Sequence, residues 1–328
     1  MFQHILVPLD GSKNAEKSIP VASRLARASG GSIVFVRAVL PPVEFGKYAK
    51  QHSIAWERAA YETQHAQAAS YLVGTTLKYG NELAGIDVGL VVATGITPSA
   101  ICSAARLEHA DLIVMHSHDE SAIQRWFFGS VTQEVSRHSS VPVLILHEHG
   151  PAIPARRASL PLRVMVPLNG SAASEVAFAP AIEFLEAFAG QEMGILHLLR
   201  VIDMPPIEGK MRSQAHIDTS LRTYAKQEAE AYLARVAERL YKEHAEASWL
   251  SITTSVIIST DIAGTIAQQA EYNEEVEHAG GSDLIVVAKH EHRGLERLLR
   301  GHVTKHMLRS TRLPLLVVHP QEVTSGRP

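Results

Sequence analysis

Two stretches of this chain are near copies of each other, and that repeat limits what the chain can fold into. Ala110–Leu146 reads ADLIVMHSHDESAIQRWFFGSVTQEVSRHSSVPVLIL, and Ser282–Val318 reads SDLIVVAKHEHRGLERLLRGHVTKHMLRSTRLPLLVV. Each opens on an aspartate and a short apolar run, Leu112-Ile113-Val114 or Leu284-Ile285-Val286-Val287. Each closes on a second apolar run after a proline, Val143–Leu146 or Leu315–Val318. Between the runs lie a polar loop, then Gly129-Ser130 or Gly301-His302, then a helical pattern. Strand, loop, helix, strand is a βαβ unit. A second pair of copies lies upstream: Ile5–Ser12 (ILVPLDGS) recurs as Val164–Ser171 (VMVPLNGS). The order of the matching pieces is kept, so one domain is duplicated. The second copy is the longer, and part of the extra length is expected in Tyr272–Gly281. The expected boundaries are residues 1–147 and 163–320, a linker at 148–162 (EHGPAIPARRASLPL) and a tail at 321–328. Proline, small residues and arginine mark the linker.

Composition narrows the class. A chain of 328 residues, 46% hydrophobic and 20% charged, can bury two sizeable cores. The net charge of −3 gives no overall pull towards nucleic acid. The single cysteine, Cys102, excludes an intramolecular disulfide, which fits a reducing compartment. A strand pattern begins at Ile5 with no basic-then-apolar segment before it, and no apolar run approaches the ~18 residues of a membrane span. The expectation is a soluble cytoplasmic protein that engages neither membrane nor nucleic acid.

Within the first copy, strands are expected at about His4–Leu9, Ser32–Ala38, Asp87–Ala93, Leu112–Met115 and Val143–His147. Helices are expected over Ser12–Ser29, stopped by Gly30-Gly31, over Ile54–Leu83, from Thr97-Pro98, and over Val131–His138. Alternating strands and helices imply a parallel sheet covered on both faces, and continuous apolar runs suit such strands. Ligands of such sheets bind beyond the carboxyl ends of the strands. Asp10, Ala38 and His116–Asp119 all fall on that rim.

The pieces ILVPLDGS, ATGITPSAI at Ala93–Ile101, and ADLIVM…GSVT…VPVLIL, with the second set VMVPLNGS and SDLIVVA…LPLLVV, resemble the universal stress protein family in its tandem form. The resemblance implies two flavodoxin-like (adenine nucleotide alpha hydrolase-like) α/β domains in tandem, each a doubly wound parallel five-stranded sheet. It also implies dimers in which fifth strands meet, hence an intramolecular pseudo-dimer here, with a homodimer as a further level. One branch of the family binds ATP through Gly-x-x-Gly, nine residues, then Gly-Ser or Gly-Thr, with an aspartate ending strand 1 at the nucleoside end. Glycines admit the phosphates, and N–H groups and a hydroxyl complete the cradle.

In the first half the spacing is kept as His116-Ser117-His118-Asp119, nine residues, Gly129-Ser130. The residues carried over as nucleotide-binding are Pro8, Asp10, Ala38, Gly129, Ser130, Val131 and Thr132. His116 and Asp119 replace the first two glycines. A carboxylate beside a triphosphate repels it by roughly a few kcal/mol at intermediate dielectric. Histidine protonation offsets this only in part at neutral pH. In the second half, Ala288-Lys289-His290-Glu291 and Gly301-His302 keep one loop glycine, and Asn169 replaces the aspartate. That half is expected to have lost the nucleotide or to take a different anion.

Each sharp reading has a plainer rival. Asp10 also suits a turn, since Asp-Gly-Ser is turn chemistry, and Ser130 also suits a helix cap. His116, His118, His147, His149, His290 and His292 invite a metal, but among 18 histidines neighbours arise by chance and no HExxH occurs. Cys102 reads as a buried small hydrophobe and Trp126-Phe127-Phe128 as packing rather than a partner patch. Neither a Walker motif, a GxSxG nor a base–nucleophile pair emerges, so no catalytic residue is expected. The leading expectation is a stress-response or signalling module with weak ATP binding in the first half, magnesium arriving only with the nucleotide, and an unknown protein partner. The alternative is a nucleotide-independent interaction scaffold. A slow ATPase is the third reading, and it lacks groups to orient a water.

Overall fold

The computed structural model describes residues 2–41, 54–117, 130–147, 150, 153, 161–189, 192–204, 212–271, 281–289 and 311–319, leaving out the side chains of 54–57 and 212–218. The chain divides into two compact units, Met1–Glu148 and His149–Pro328. The first contains β1 (His4–Pro8), α1 (Lys13–Glu16), α2 (Ser18–Ser29), β2 (Ser32–Val39), α3 (Ile54–Lys78), β3 (Val88–Thr94), α4 (Thr97–Leu107), β4 (Leu112–Ser117), α5 (Ser130–His138) and β5 (Val143–His147). The second contains β6 (Leu162–Pro167), α6 (Ala172–Glu175), α7 (Phe178–Ala189), β7 (Gly194–Ile202), α8 (Arg212–Glu243), β8 (Leu250–Ile258), α9 (Ile262–Glu271), β9 (Leu284–Ala288) and β10 (Leu315–Val318). Tyr272–Gly281, where extra length was expected, lies almost wholly outside the described residues.

Each unit is a parallel sheet, ordered β3-β2-β1-β4-β5 in the first and β8-β7-β6-β9-β10 in the second. The order reverses beside β1 and beside β6, which puts the switch point where the repeated turns leave those strands. The strands next to the switch bury their whole runs: Ile5, Leu6 and Val7, or Leu112, Ile113 and Val114, are fully shielded. The edge strand β3 is different. Leu90 stays 39% exposed, and among the described residues no strand lies on the far side of β3.

The repeated aspartates have a structural task at the other end of the sheet. Asp111 accepts from the backbone N–H groups of Gln3 (2.8 Å) and His4 (3.2 Å), while its own N–H donates to the His4 carbonyl (2.9 Å). Asp283 does the same for Arg163 (2.9 Å from its N–H, 2.8 Å back to its carbonyl). Strands β1 and β4 are far apart in sequence, so their register needs a long-range fastening of this kind.

The expected single helix from Ser12 to Ser29 is in fact two, α1 and α2, broken at Lys17. Pro20 explains the break, because its ring collides with a helical carbonyl four residues back, at Glu16. The second unit breaks likewise between α6 and α7, with Pro180 aimed at Val176. Helix α3 ends at Lys78, short of the expected Leu83, and turns follow it. Strand β4 runs on to Ser117, two residues beyond expectation. Helix α4 begins at Thr97 with proline in its first turn, and Gly30 closes α2 in the left-handed conformation (φ 66°).

Candidate functional site on the carboxyl rim

The rim of the first unit starts from one tight turn. Pro8 ends β1 half-buried, and Leu9 N–H still pairs with the Val36 carbonyl (2.8 Å). Asp10 then turns the chain: its Oδ1 accepts from Ser12 N–H at 2.8 Å. Ser12 Oγ caps α1 by accepting from Ala15 N–H at 3.1 Å. The turn role weighed for Asp10 is therefore present, and its carboxylate remains at the exposed lip of the sheet. Ala38 lies beside it on β2, half-buried and in register with Ala93 of β3.

Across the switch point, β4 brings His116 and Ser117 to the rim, 7% and 5% exposed. His116 Nδ1 sits 3.2 Å from the Ser117 carbonyl, and Ser117 Oγ donates to the Leu146 carbonyl at 3.3 Å. His147 ends β5 beside Ser117, and burial together with neighbouring His116 pushes its pKa down to about 4. Ser130 is the exposed first residue of α5, Val131 is half-buried, and Thr132 is 3% exposed. Pro8, Asp10 and Ala38 thus share the lip of β1 and β2, while Ser130, Val131 and Thr132 share the first turn of α5. Gly129, His118, Asp119, the 126–128 aromatic run, His149, His290, His292, Glu291 and the Gly301-His302 pair lie outside the described residues.

Sequence reasoning missed a cluster beside this rim. The Arg37 guanidinium from β2 lies against Gly11, whose φ is +96°, and over the Tyr71 ring of α3 at 4.6 Å. Behind Tyr71, the buried Glu16 carboxylate accepts from Tyr71 Oη (3.1 Å), Tyr79 Oη (3.2 Å) and Lys78 Nζ (2.5 Å). Burial alone would raise the Glu16 pKa, but the hydrogen bonds from Lys78, Tyr71 and Tyr79 outweigh it and hold it below the usual range. The second unit repeats the design. Arg200 stacks on Tyr232 at 5.3 Å and fills the space beside Gly170 (φ +87°). Glu175 accepts from Tyr232 Oη (2.8 Å) and Arg239 Nη2 (2.6 Å). Glu16 and Glu175 hold the same place in the two copies, a coincidence visible in the sequence once the copies are aligned on their Asx turns.

The second turn differs in one respect. Asn169 Oδ1 accepts both Ser171 N–H (3.0 Å) and Ser171 Oγ (2.7 Å), so the Ser171 hydroxyl turns back on the amide rather than capping α6. The turn survives without the carboxylate. Further into this unit, buried His197 of β7 places Nδ1 2.8 Å from Thr253 Oγ1 and 3.3 Å from Arg163 Nη2, and Nε2 3.0 Å from Ser255 Oγ. Burial, helped by the Arg163 charge, drives the His197 pKa down to about 4. Cys102 is buried in α4 at 6% exposure, and burial raises its thiol pKa, as a packing role requires. Among the described residues no group of three His, Cys, Asp or Glu side chains could hold a metal ion, and no helix is long and apolar enough to cross a membrane.

The universal stress protein family model matches the chain twice, over residues 1–147 and 162–319. A universal stress protein of Mycolicibacterium smegmatis is 26% identical over 325 residues, covering 97% of each chain. One from Thermus aquaticus is 30% identical over 147 residues, 44% of this chain and 99% of that protein. The crystal structure of a universal stress protein from Archaeoglobus fulgidus DSM 4304 shares the fold, with a TM-score of 0.63, 17% identity, and coverage of 97% of this chain and 99% of the other.

Proposed function

Because the chain belongs to the universal stress protein family, with one family domain at 1–147 and another at 162–319, we propose that it is a non-catalytic stress-response module whose first half binds an adenine nucleotide. The second half is then a degenerate structural partner. The observation that carries this reading is the asymmetry of two equivalent turns. Asp10 and Asn169 fold the same turn, yet only the first presents a carboxylate at the rim. The turn itself needs no charge, since Asn169 folds it as well, so the Asp10 carboxylate adds to the turn an anionic group suited to ribose hydroxyls.

In this reading Pro8, Asp10 and Ala38 take the nucleoside. Gly129, Ser130, Val131 and Thr132 take the phosphates at the N-terminus of α5, where N–H groups and the helix dipole favour an anion. Magnesium travels with the nucleotide. The buried His116 ring stands where the nucleotide-binding branch has a glycine, so affinity is weak. Binding acts by biasing a surface towards another protein rather than by turnover. Homodimers form the next level of assembly, and the protein works in the cytoplasm.

That same His116 favours a second reading, a scaffold that needs no nucleotide, because an imidazole in a close-approach position leaves no room for phosphate. The discriminating experiment is the nucleotide content of purified, denatured protein, followed by titration of stripped protein with ATP and ADP, with and without magnesium. Bound adenine nucleotide or a Kd of roughly micromolar order supports the first reading. No binding at millimolar ATP leaves the scaffold. Magnesium-dependent turnover abolished by one conservative loop change would instead make it an ATPase.

A further inference from the structure

The corner formed by the short helix, the next helix and the end of the long helix exists in both halves, but its charge is inverted. In the second half it is an open groove of about 750 Å³ between α6, α7 and the end of α8. Val176, Phe178, Ile182, Leu240 and Trp249 line it with apolar surface. Glu183, Glu186, Glu243 and Glu246 add acidic groups, and Glu186, Glu243 and Glu246 are exposed. Its one arginine, Arg239, is already bound to Glu175 at 2.6 Å and lies 3.7 Å from Glu243. Helix α7 contributes no basic residue.

The first half carries Lys17 in place of Val176, Arg24 in place of Glu183 and Arg27 in place of Glu186. Lys13 and Lys78 extend this basic face; its Glu16 is buried under Lys78, Tyr71 and Tyr79, and one exposed acid, Glu82, is kept beside Arg27, which donates to the Glu82 carbonyl at 2.7 Å. The fold does not need either sign, since both halves build the same helices. Arginine and lysine stems suit an apolar floor with an acidic rim.

We infer that the acidic groove of the second half receives the basic α1–α2 face of the first half of another copy of this chain. The contact joins two different surfaces, so it is head-to-tail, and each added copy leaves one groove and one basic face open. Opposite charge steers the encounter and makes it salt-sensitive.

Charge exchange tests this directly. Glu183→Arg with Glu186→Arg gives a chain with two basic faces, and Arg24→Glu with Arg27→Glu gives one with two acidic faces. Sedimentation velocity of the full chain from low to high salt is the readout, with circular dichroism and thermal melts checking the fold. The wild type should associate with concentration at low salt and dissociate at high salt. Each variant alone should lose association at least tenfold, and an equimolar mixture of the two should recover it. Wild type that does not self-associate at about 100 µM, variants that associate as before, or a mixture that stays dissociated would each overturn the inference. Should a variant fail to fold, the single changes Glu186→Lys and Arg27→Glu, both at exposed positions, repeat the mixing test.

Discussion

The Arg37 guanidinium spans two elements distant in sequence, lying 4.6 Å from the centre of the Tyr71 ring and in van der Waals reach of Gly11. A β-carbon added at Gly11 would sit 3.4 Å from Arg37 Nη2, and the backbone there has φ +96°. Gly11→Ala should therefore cost about 1–3 kcal/mol, mostly as backbone strain, read from the urea midpoint. Arg37→Ala should cost about 0.5–1 kcal/mol through the lost cation–π contact. The double variant should not recover the Gly11→Ala loss, because φ and not crowding dominates. Full recovery would show that the arginine was the obstacle.

Glu16 anchors α3 to α1 through Tyr71, Tyr79 and Lys78. Lys78 is largely exposed, so Lys78→Met should change stability little. Glu16→Gln, which leaves buried hydroxyls facing an amide, should cost about 1–3 kcal/mol. The Glu16 pKa is lowered by folding, so its stabilisation is present above the ordinary carboxylate range and is lost as pH falls through the folded value. The gap between wild type and Glu16→Gln should thus be widest at neutral pH and close in acid. A gap independent of pH would refute the ionised anchor.

Histidines set a second pH dependence. His147 and His197 have folded pKa values near 4, against an ordinary value of 6.5. Unfolded chains bind these protons first, so stability is full above about 6.5 and falls as pH drops towards 4. The slope is up to about 1.4 kcal/mol per pH unit for each histidine. His197→Gln should remove one of these contributions and flatten the curve, measured by denaturant titrations at pH 7, 6, 5 and 4. An unchanged slope would mean that His197 titrates normally.

Nucleotide stoichiometry separates the two halves. Calorimetric titration with ATP should give at most one site per chain. Asp10→Ala should weaken binding by about tenfold or more, the loss expected for one or two hydrogen bonds to a charged group, whereas Asn169→Ala should leave it unchanged. Two equivalent sites, or equal effects of both changes, would overturn the asymmetry.

Much of the fold could be read from short-range pattern. The strands around Ile5–Val7, Leu112–Val114 and Val143–Leu146 follow from unbroken apolar runs, and their alternation with helices implied the parallel sheets. The positions of the candidate residues were readable too: Asp10 and Ala38 stand at strand ends, and Ser130, Val131 and Thr132 in the first turn of α5. The break between α1 and α2 was missed because periodicity averages over a single proline. Arg37, Tyr71 and Glu16 were missed because neither spacing nor motif marks residues that meet only after the strands have paired.

The sequence by itself determined the duplication, the parallel sheets and the turns at Asp10 and Asn169, because each rests on contacts within a few residues or on runs that must be buried. Tertiary structure decided the rest. Pairing β1 with β2 and packing α3 against them brought Arg37 to Tyr71 and Lys78 to Glu16. Pairing β6, β7 and β8 set His197 in register with Thr253 and brought the Arg163 guanidinium to its ring. Burial then lowered the His197 pKa, while hydrogen bonds lowered that of Glu16 against its burial, because removing water penalises a charge by an amount that depends on which neighbours the fold supplies.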